Sequence, residues 1–383
     1  MISLLALALA STAPISPDPF AQPASGEAAT LLRAAQFGEP AADARIAAWL
    51  LSHADAPRDD RRALYHRLCG DYGVRSAHAA AAKACAAAAA LGADDAQAAT
   101  NSTKLSDVPP VRAIGSTRVP LIANGLGSRD AVVTVNGASV RWIMDTGAEI
   151  SVVTHSLAER IGVRMLDGTI AVGSTTGTVQ GGLGVIDLLR IGDAEVENVP
   201  VLVLPDAQLK IGNLPQIEGI LGLPVFVAFR RAAWLDGGAT LALGETAPPA
   251  PKDAARLYWH EEGIGVPVST ARGTRGAHLD TGANVTYLRA PAHALLDATT
   301  EASGSIHAGK VGGAGGVVDT KQTVYPRIAL TVAGVPMALT RVSIEEESQE
   351  GAARLGDDIV RNLSSLVLDF EHMRVGATVR ASQ

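Results

Sequence analysis

A chain of 383 residues, 47% of them hydrophobic, is long enough to bury the cores of two or three domains. Its formal net charge of -7 disfavours a nucleic-acid partner, which would need a basic face. Two cysteines and nine scattered histidines show no metal-ligand spacing, and past the N-terminus no apolar run reaches the length of a membrane span, so neither a metal, another cofactor nor a span in the mature chain is expected.

Taken in chain order, Leu4 to Ala10 is an apolar run followed by small residues, which reads as a secretory signal despite the absence of Lys or Arg near Met1. Pro14, Pro17, Pro19 and Pro23 then read as an extended linker, so that residues 1–24 form a signal peptide and linker and the product is expected to be periplasmic or secreted. Residues 25–100 are rich in Ala, Leu and Arg and predict a small α-helical accessory domain, with helices over Ala28–Gln36, Asp43–Ser52, Asp59–Leu68 and Ser76–Leu91. The charge cluster from Arg58 to Arg62 is read as a solvated helix face. Cys69 and Cys85 both fall here and fit either a disulfide between neighbouring helices or two buried thiols. Residues 101–113, with Pro109-Pro110, read as a linker.

From residue 114 the pattern changes to short alternating strands: Val119–Ala123, then Ala131–Val135 turning at Asn136-Gly137 into a strand that ends at Asp145. Val172–Gly184 holds too many glycines to pack a core and reads as a mobile hairpin, and Gly312–Gly316 reads as its second copy because its spacing does not fit a phosphate cradle. The acidic run from Glu345 to Glu350 reads as a solvated loop.

Asp145-Thr146-Gly147-Ala148 is written again as Asp280-Thr281-Gly282-Ala283, 135 positions later. Leu221-Gly222 recurs as Leu355-Gly356 after 134 positions, and Leu235-Asp236 as Leu368-Asp369 after 133, a drift small enough to indicate a duplicated lobe over 114–247 and 248–383. A single Asp-Thr-Gly is a weak signal; a pair in register brings two carboxylates together. Two carboxyls a few ångströms apart cannot both ionise easily, so one serves as base and the other as acid; the aspartic-protease dyad is the standard example of this behaviour.

On these tetrads, on Ile217-Glu-Gly-Ile-Leu-Gly-Leu223, and on Leu355-Gly-Asp-Asp-Ile-Val-Arg361 with Leu366–Phe370, the chain resembles the aspartic proteases of the pepsin/retropepsin superfamily over roughly residues 114–380. The resemblance implies a mainly β fold of two homologous lobes with the active site between them, preceded by the helical domain. It implies Asp145 and Asp280 as catalytic residues, and Thr146, Gly147, Thr281 and Gly282 as support for the dyad, the threonines interlocking beneath it. The implied activity is that of an endopeptidase whose partner is a peptide or protein substrate, complete within one monomer; the other reading is a peptide-binding or regulatory protein that keeps the fold. The glycine-rich hairpin lacks the tyrosine of a pepsin-like flap and is more similar to retropepsins. Ala148 and Ala283 stand where pepsin-like relatives place Ser or Thr, so a hydroxyl donor to the charged dyad is missing and its apparent pKa values are expected to lie higher, centring activity in mild acid.

Overall fold

A computed structural model describes residues 18–20, 26–174, 177–210, 213–260, 263–313, 316–346, 348–349 and 351–379. The expected signal peptide lies outside the described residues. Among the described residues the N-terminal region contains five helices: α1 (Glu27–Gln36), α2 (Ala42–Ser52), α3 (Arg58–Val74), α4 (His78–Ala90) and α5 (Ala96–Lys104). Four match the expected set. The fifth runs into the stretch read as a linker over 101–113, where its polar composition had concealed it: Ala96, Gln97, Ala98 and Ala99 are good helix formers, and none of the helix's residues is buried. Leu31, Ile46, Leu64 and Ala81 build a small apolar core, and Cys69 is bonded to Cys85, joining α3 to α4. The basic residues at the head of α3 are occupied locally, Arg58 with the Leu91 carbonyl, Arg61 with that of Ala56 and Arg62 with Asp59.

This helical domain is docked on the lobes. Arg67 of α3 is buried, pairs with Asp71 at 2.7 Å and donates to the Trp259 carbonyl at 3.3 Å. Arg256 reaches back to the Phe37 carbonyl at 3.1 Å. Lys104 donates to the carbonyls of Asp167 and Thr169, each at 3.1 Å, and Leu105 and Val108 just beyond it join an apolar cluster of the first lobe.

The rest is mainly β: a nine-stranded sheet in the first lobe, an eight-stranded sheet in the second and a six-stranded sheet shared between them. In the shared sheet Arg231–Leu235 runs antiparallel to Leu363–Asp369, with Ala233 opposite Val367. The third landmark of the repeat, Leu235-Asp236 and Leu368-Asp369, thus lies where the two copies are sewn together. The glycine-rich segments lie in long hairpins, Arg164–Ser174 with Gly177–Ile191 in the first lobe and Ser305–Gly313 with Gly316–Val332 in the second. The reading of 172–184 as unable to pack a core is corrected: Val172, Val179 and Leu183 are buried in it. Its glycines allow close approach, since a Cβ on Gly181 would stand 2.6 Å from the Val203 carbonyl oxygen.

Candidate active site

Each tetrad follows the last strand of a hairpin that continues into a parallel pair. Strand Ala138–Met144 lies parallel to Gly219–Leu221, and the Asp145 amide extends the pairing by donating to the Leu221 carbonyl at 3.0 Å. In the second lobe Gly273–Leu279 lies parallel to Ala353–Leu355, and the Asp280 amide donates to the Leu355 carbonyl at 2.9 Å. The turn after each Asp is pinned by the repeated glycine motif. Leu223 donates to the Ala148 carbonyl and Asp357 to that of Ala283, both at 2.8 Å, while the Gly222 amide donates to Ser151 Oγ and that of Gly356 to Thr286 Oγ1. A Cβ on Gly222 would lie 2.7 Å from the Ala148 oxygen, so the Leu-Gly landmark is a notch that seats the tetrad.

The two tetrads meet through a reciprocal lock. Thr146 N donates to Thr281 Oγ1 at 3.1 Å and Thr281 N to Thr146 Oγ1 at 3.1 Å, while the Thr146 hydroxyl donates to the Leu279 carbonyl at 2.7 Å and the Thr281 hydroxyl to that of Met144 at 2.8 Å. All four bonds are buried and cross between the lobes. Gly147 and Gly282 are needed for a related reason: a Cβ on Gly147 would stand 2.5 Å from Cγ of Asp280, and one on Gly282 would collide with the Asp145 carboxyl. The six sequence-predicted residues, Asp145, Thr146, Gly147, Asp280, Thr281 and Gly282, are therefore brought together in one place.

Both aspartates are fully buried. Asp145 Oδ1 accepts from the Gly147 amide at 2.8 Å; Asp280 Oδ1 accepts from the amides of Gly282 and Ala283, each at 3.0 Å. The Oδ2 atoms of both carry no protein hydrogen bond among the described residues. Burial, and then the charge of Asp280 beside it, push the Asp145 carboxyl well above the usual carboxylate range. The leading cause at Asp145 is thus burial, and not the missing hydroxyl at Ala148 and Ala283 from which a raised value was expected.

Three residues near the dyad had no place in the sequence reading. Arg354, buried in strand Ala353–Leu355, places Nη1 at 3.5 Å from Asp280 Oδ2. His278, two residues before Asp280, is fully buried and stacks on His260 with ring centroids 5.3 Å apart. The signal that could have found them is the repeat itself, because the first lobe has Ile220 and Ile143 at the matching places. Beside the tetrad, a cavity of about 380 Å³ lies between α3–α5 and the first lobe, lined by Ile150, Ile170, Val172, Leu223 and Trp259 among others. Among the described residues no group of His, Cys, Asp and Glu is arranged to hold a metal, and no helix is long and apolar enough to cross a membrane.

Such an arrangement can hold one proton between two carboxyls and present their free oxygens to a water molecule. Residues 131–225 match the family model described as aspartyl protease, and no curated protein matches the sequence. Among solved structures, basic 7S globulin from soybean is similar with a TM-score of 0.47 and 13% identity, covering 70% of this chain and 95% of that one. The matched stretch holds the first tetrad, and the second half of the chain repeats that tetrad in a second β lobe.

Proposed function

We propose that the protein is an aspartic endopeptidase, with Asp145 and Asp280 as its catalytic pair and an extended peptide or protein as substrate. The observation that carries this reading is the pair of buried carboxyls held side by side by the reciprocal threonine lock. In the reaction the charged carboxylate takes a proton from water, the oxygen attacks the scissile carbonyl carbon, and the protonated carboxyl gives its proton to the carbonyl oxygen. Collapse of the resulting gem-diol returns one hydroxyl proton to a carboxylate, the amide nitrogen takes up the other carboxyl's proton, and the C–N bond breaks; the dyad ends with the single proton it started with.

Both carboxyls come from one chain, which supports a monomer as the working unit. The Cys69–Cys85 disulfide supports an oxidising compartment such as the periplasm or the exterior. The test is hydrolysis of a mixed peptide library by the wild type, Asp145→Asn and Asp280→Asn, with circular dichroism to check the fold. Each variant is expected to lose hydrolysis while staying folded. Near-normal turnover by either would end the single-dyad mechanism, and wild-type protein that binds the transition-state mimic pepstatin without cleaving any peptide would make this a binding protein.

A further inference from the structure

The duplication lets the surroundings of the two carboxylates be compared position by position. In the first lobe Ile143 lies two residues before Asp145, and its parallel partner is Ile220. In the second lobe the same two places hold His278 and Arg354, again parallel partners. The offsets, 135 and 134, are those of the tetrads and of the Leu-Gly motifs. All four side chains are buried, so one lobe backs its aspartate with two aliphatic side chains and the other with an imidazole and a guanidinium. A buried guanidinium is costly to desolvate without an anion at hand, and Arg354 lies 3.5 Å from Asp280 Oδ2.

We propose that Arg354 is a positioning residue that holds the dyad's negative charge on Asp280, so that Asp145 carries the shared proton; Asp280 is then the base that activates water and Asp145 the acid that protonates the carbonyl. The inference rests on the protease reading above and adds to it a direction. A second, independent asymmetry points the same way. Hydrogen bonds donated to a carboxylate favour its charged form, and Asp280 Oδ1 receives two amides, Gly282 and Ala283, where Asp145 Oδ1 receives only Gly147 among the described residues. Burial and the neighbouring Asp280 charge raise Asp145, against smaller lowering contributions from the Gly147 amide and from Arg354 itself. Among the described residues, the titratable and charged groups around Asp280 include Asp145 from the opposite tetrad, His278 on its own strand with His260 stacked on it, Arg354, and beyond them Tyr287, which both Arg354 and Arg289 approach with guanidinium carbons 5.9 Å from the ring centroid.

The experiment compares the wild type with Arg354→Lys, Arg354→Ile, and the double variant His278→Ile/Arg354→Ile, which copies the aliphatic pair of the first lobe and so has a packing precedent in the same molecule. The first readout is the pH profile of kcat/KM. An opposite charge at this range lowers a carboxyl pKa by about 1–3 units, so losing it should move the acid limb upward by about that much in both isoleucine variants, while the lysine variant stays within about 0.5 of wild type. Isoleucine variants that lose rate with the limb unmoved would overturn the proposal, leaving Arg354 a packing residue. The second readout is carbon-13 NMR titration of the aspartate carboxyls in wild-type protein without substrate, assigned with Asp145→Asn and Asp280→Asn. Asp145 should be the carboxyl that stays protonated to higher pH; the reverse order would overturn the assignment. This titration needs no turnover and no Arg354 variant to fold, so if the wild type cleaves nothing, the protease reading fails while the position of the proton is still decided.

Discussion

Replacing Thr281 by valine keeps the volume of the side chain and removes its hydroxyl, which makes it a clean probe of the lock beneath the dyad. The hydroxyl accepts from the Thr146 amide at 3.1 Å and donates to the Met144 carbonyl at 2.8 Å, and both of those groups are buried. Leaving a buried donor or acceptor unsatisfied costs about 1–3 kcal/mol, so two of them cost about 2–6 kcal/mol. That is a large share of the roughly 5–15 kcal/mol that separates folded from unfolded proteins. Thr281→Ser is the control: it retains both bonds and loses one methyl group, worth about 0.8 kcal/mol. Urea unfolding of the two variants side by side should place valine at least about 1 kcal/mol below serine. Activity should follow, because displacing a reacting group by about 1 Å can cost on the order of a hundredfold in rate. Equal stability of the two variants, within about 0.5 kcal/mol, would show that the lobes are held in register by the shared sheet alone and that the lock is incidental.

The disulfide Cys69–Cys85 spans 16 positions, a loop size for which the chain-entropy account gives about 3 kcal/mol; a thermal melt with and without reductant should show the helical domain unfolding earlier when reduced, and coincident melts would mean that packing of α3 on α4 suffices. A further prediction concerns acid. Burial pushes Asp71 and Asp357 up to about 6 from 3.8, against the pull of Arg67 on the first and of Arg129 and Arg361 on the second. A carboxyl whose folded pKa is raised keeps a proton that the unfolded chain has lost, so stability falls as pH rises through about 6. Burial lowers His78 from 6.5 to about 4, and this works the other way, removing stability as pH falls through 6.5. At about 1.4 kcal/mol per pKa unit, going from pH 8 to pH 5 each carboxyl gains about one unit of stability and the imidazole loses about 1.5, which leaves about 0.7 kcal/mol in favour of mild acid. The melting temperature should accordingly be higher near pH 5 than at pH 8, and a curve that is flat or rises toward pH 8 would refute this balance.

The dyad was legible in the sequence because a duplication writes each of its parts twice. Asp145 and Asp280, the threonines, the glycines and the Leu-Gly notches all recur at nearly constant offset, and strands and turns around them follow from alternation and from Asn136-Gly137. What was missed has physical reasons. Helix α5 was hidden because it lies on the surface, where polarity looks the same in a helix and in a linker. The glycines from 181 to 184 were read as a source of mobility, whereas Gly181 and Gly184 have no room for a side chain against Val203 and Val163. Composition cannot tell a glycine that frees a backbone from one that lets two strands approach. His278 and Arg354 escaped attention because each stands among apolar neighbours in a strand, His278 between Ala277 and Leu279, and a polar residue in such a run reads as an interruption until its partner is known.

That last omission bears on why a chain would carry two unequal lobes at all. In a symmetric dimer of a single lobe, every substitution beside one aspartate is copied beside the other, and the free protein cannot favour one carboxyl over its mate. Joining the copies in one chain removes this restriction. The core of the lock has stayed symmetric: the four hydrogen bonds of Thr146 and Thr281 match pairwise to within 0.1 Å. Sequence divergence has instead fallen on the pair just behind each tetrad, with Ile143 and Ile220 on one side and His278 and Arg354 on the other. The lock that both carboxyls share is kept identical, while their surroundings, in amide donors and in the pair behind each tetrad, are where the two copies differ.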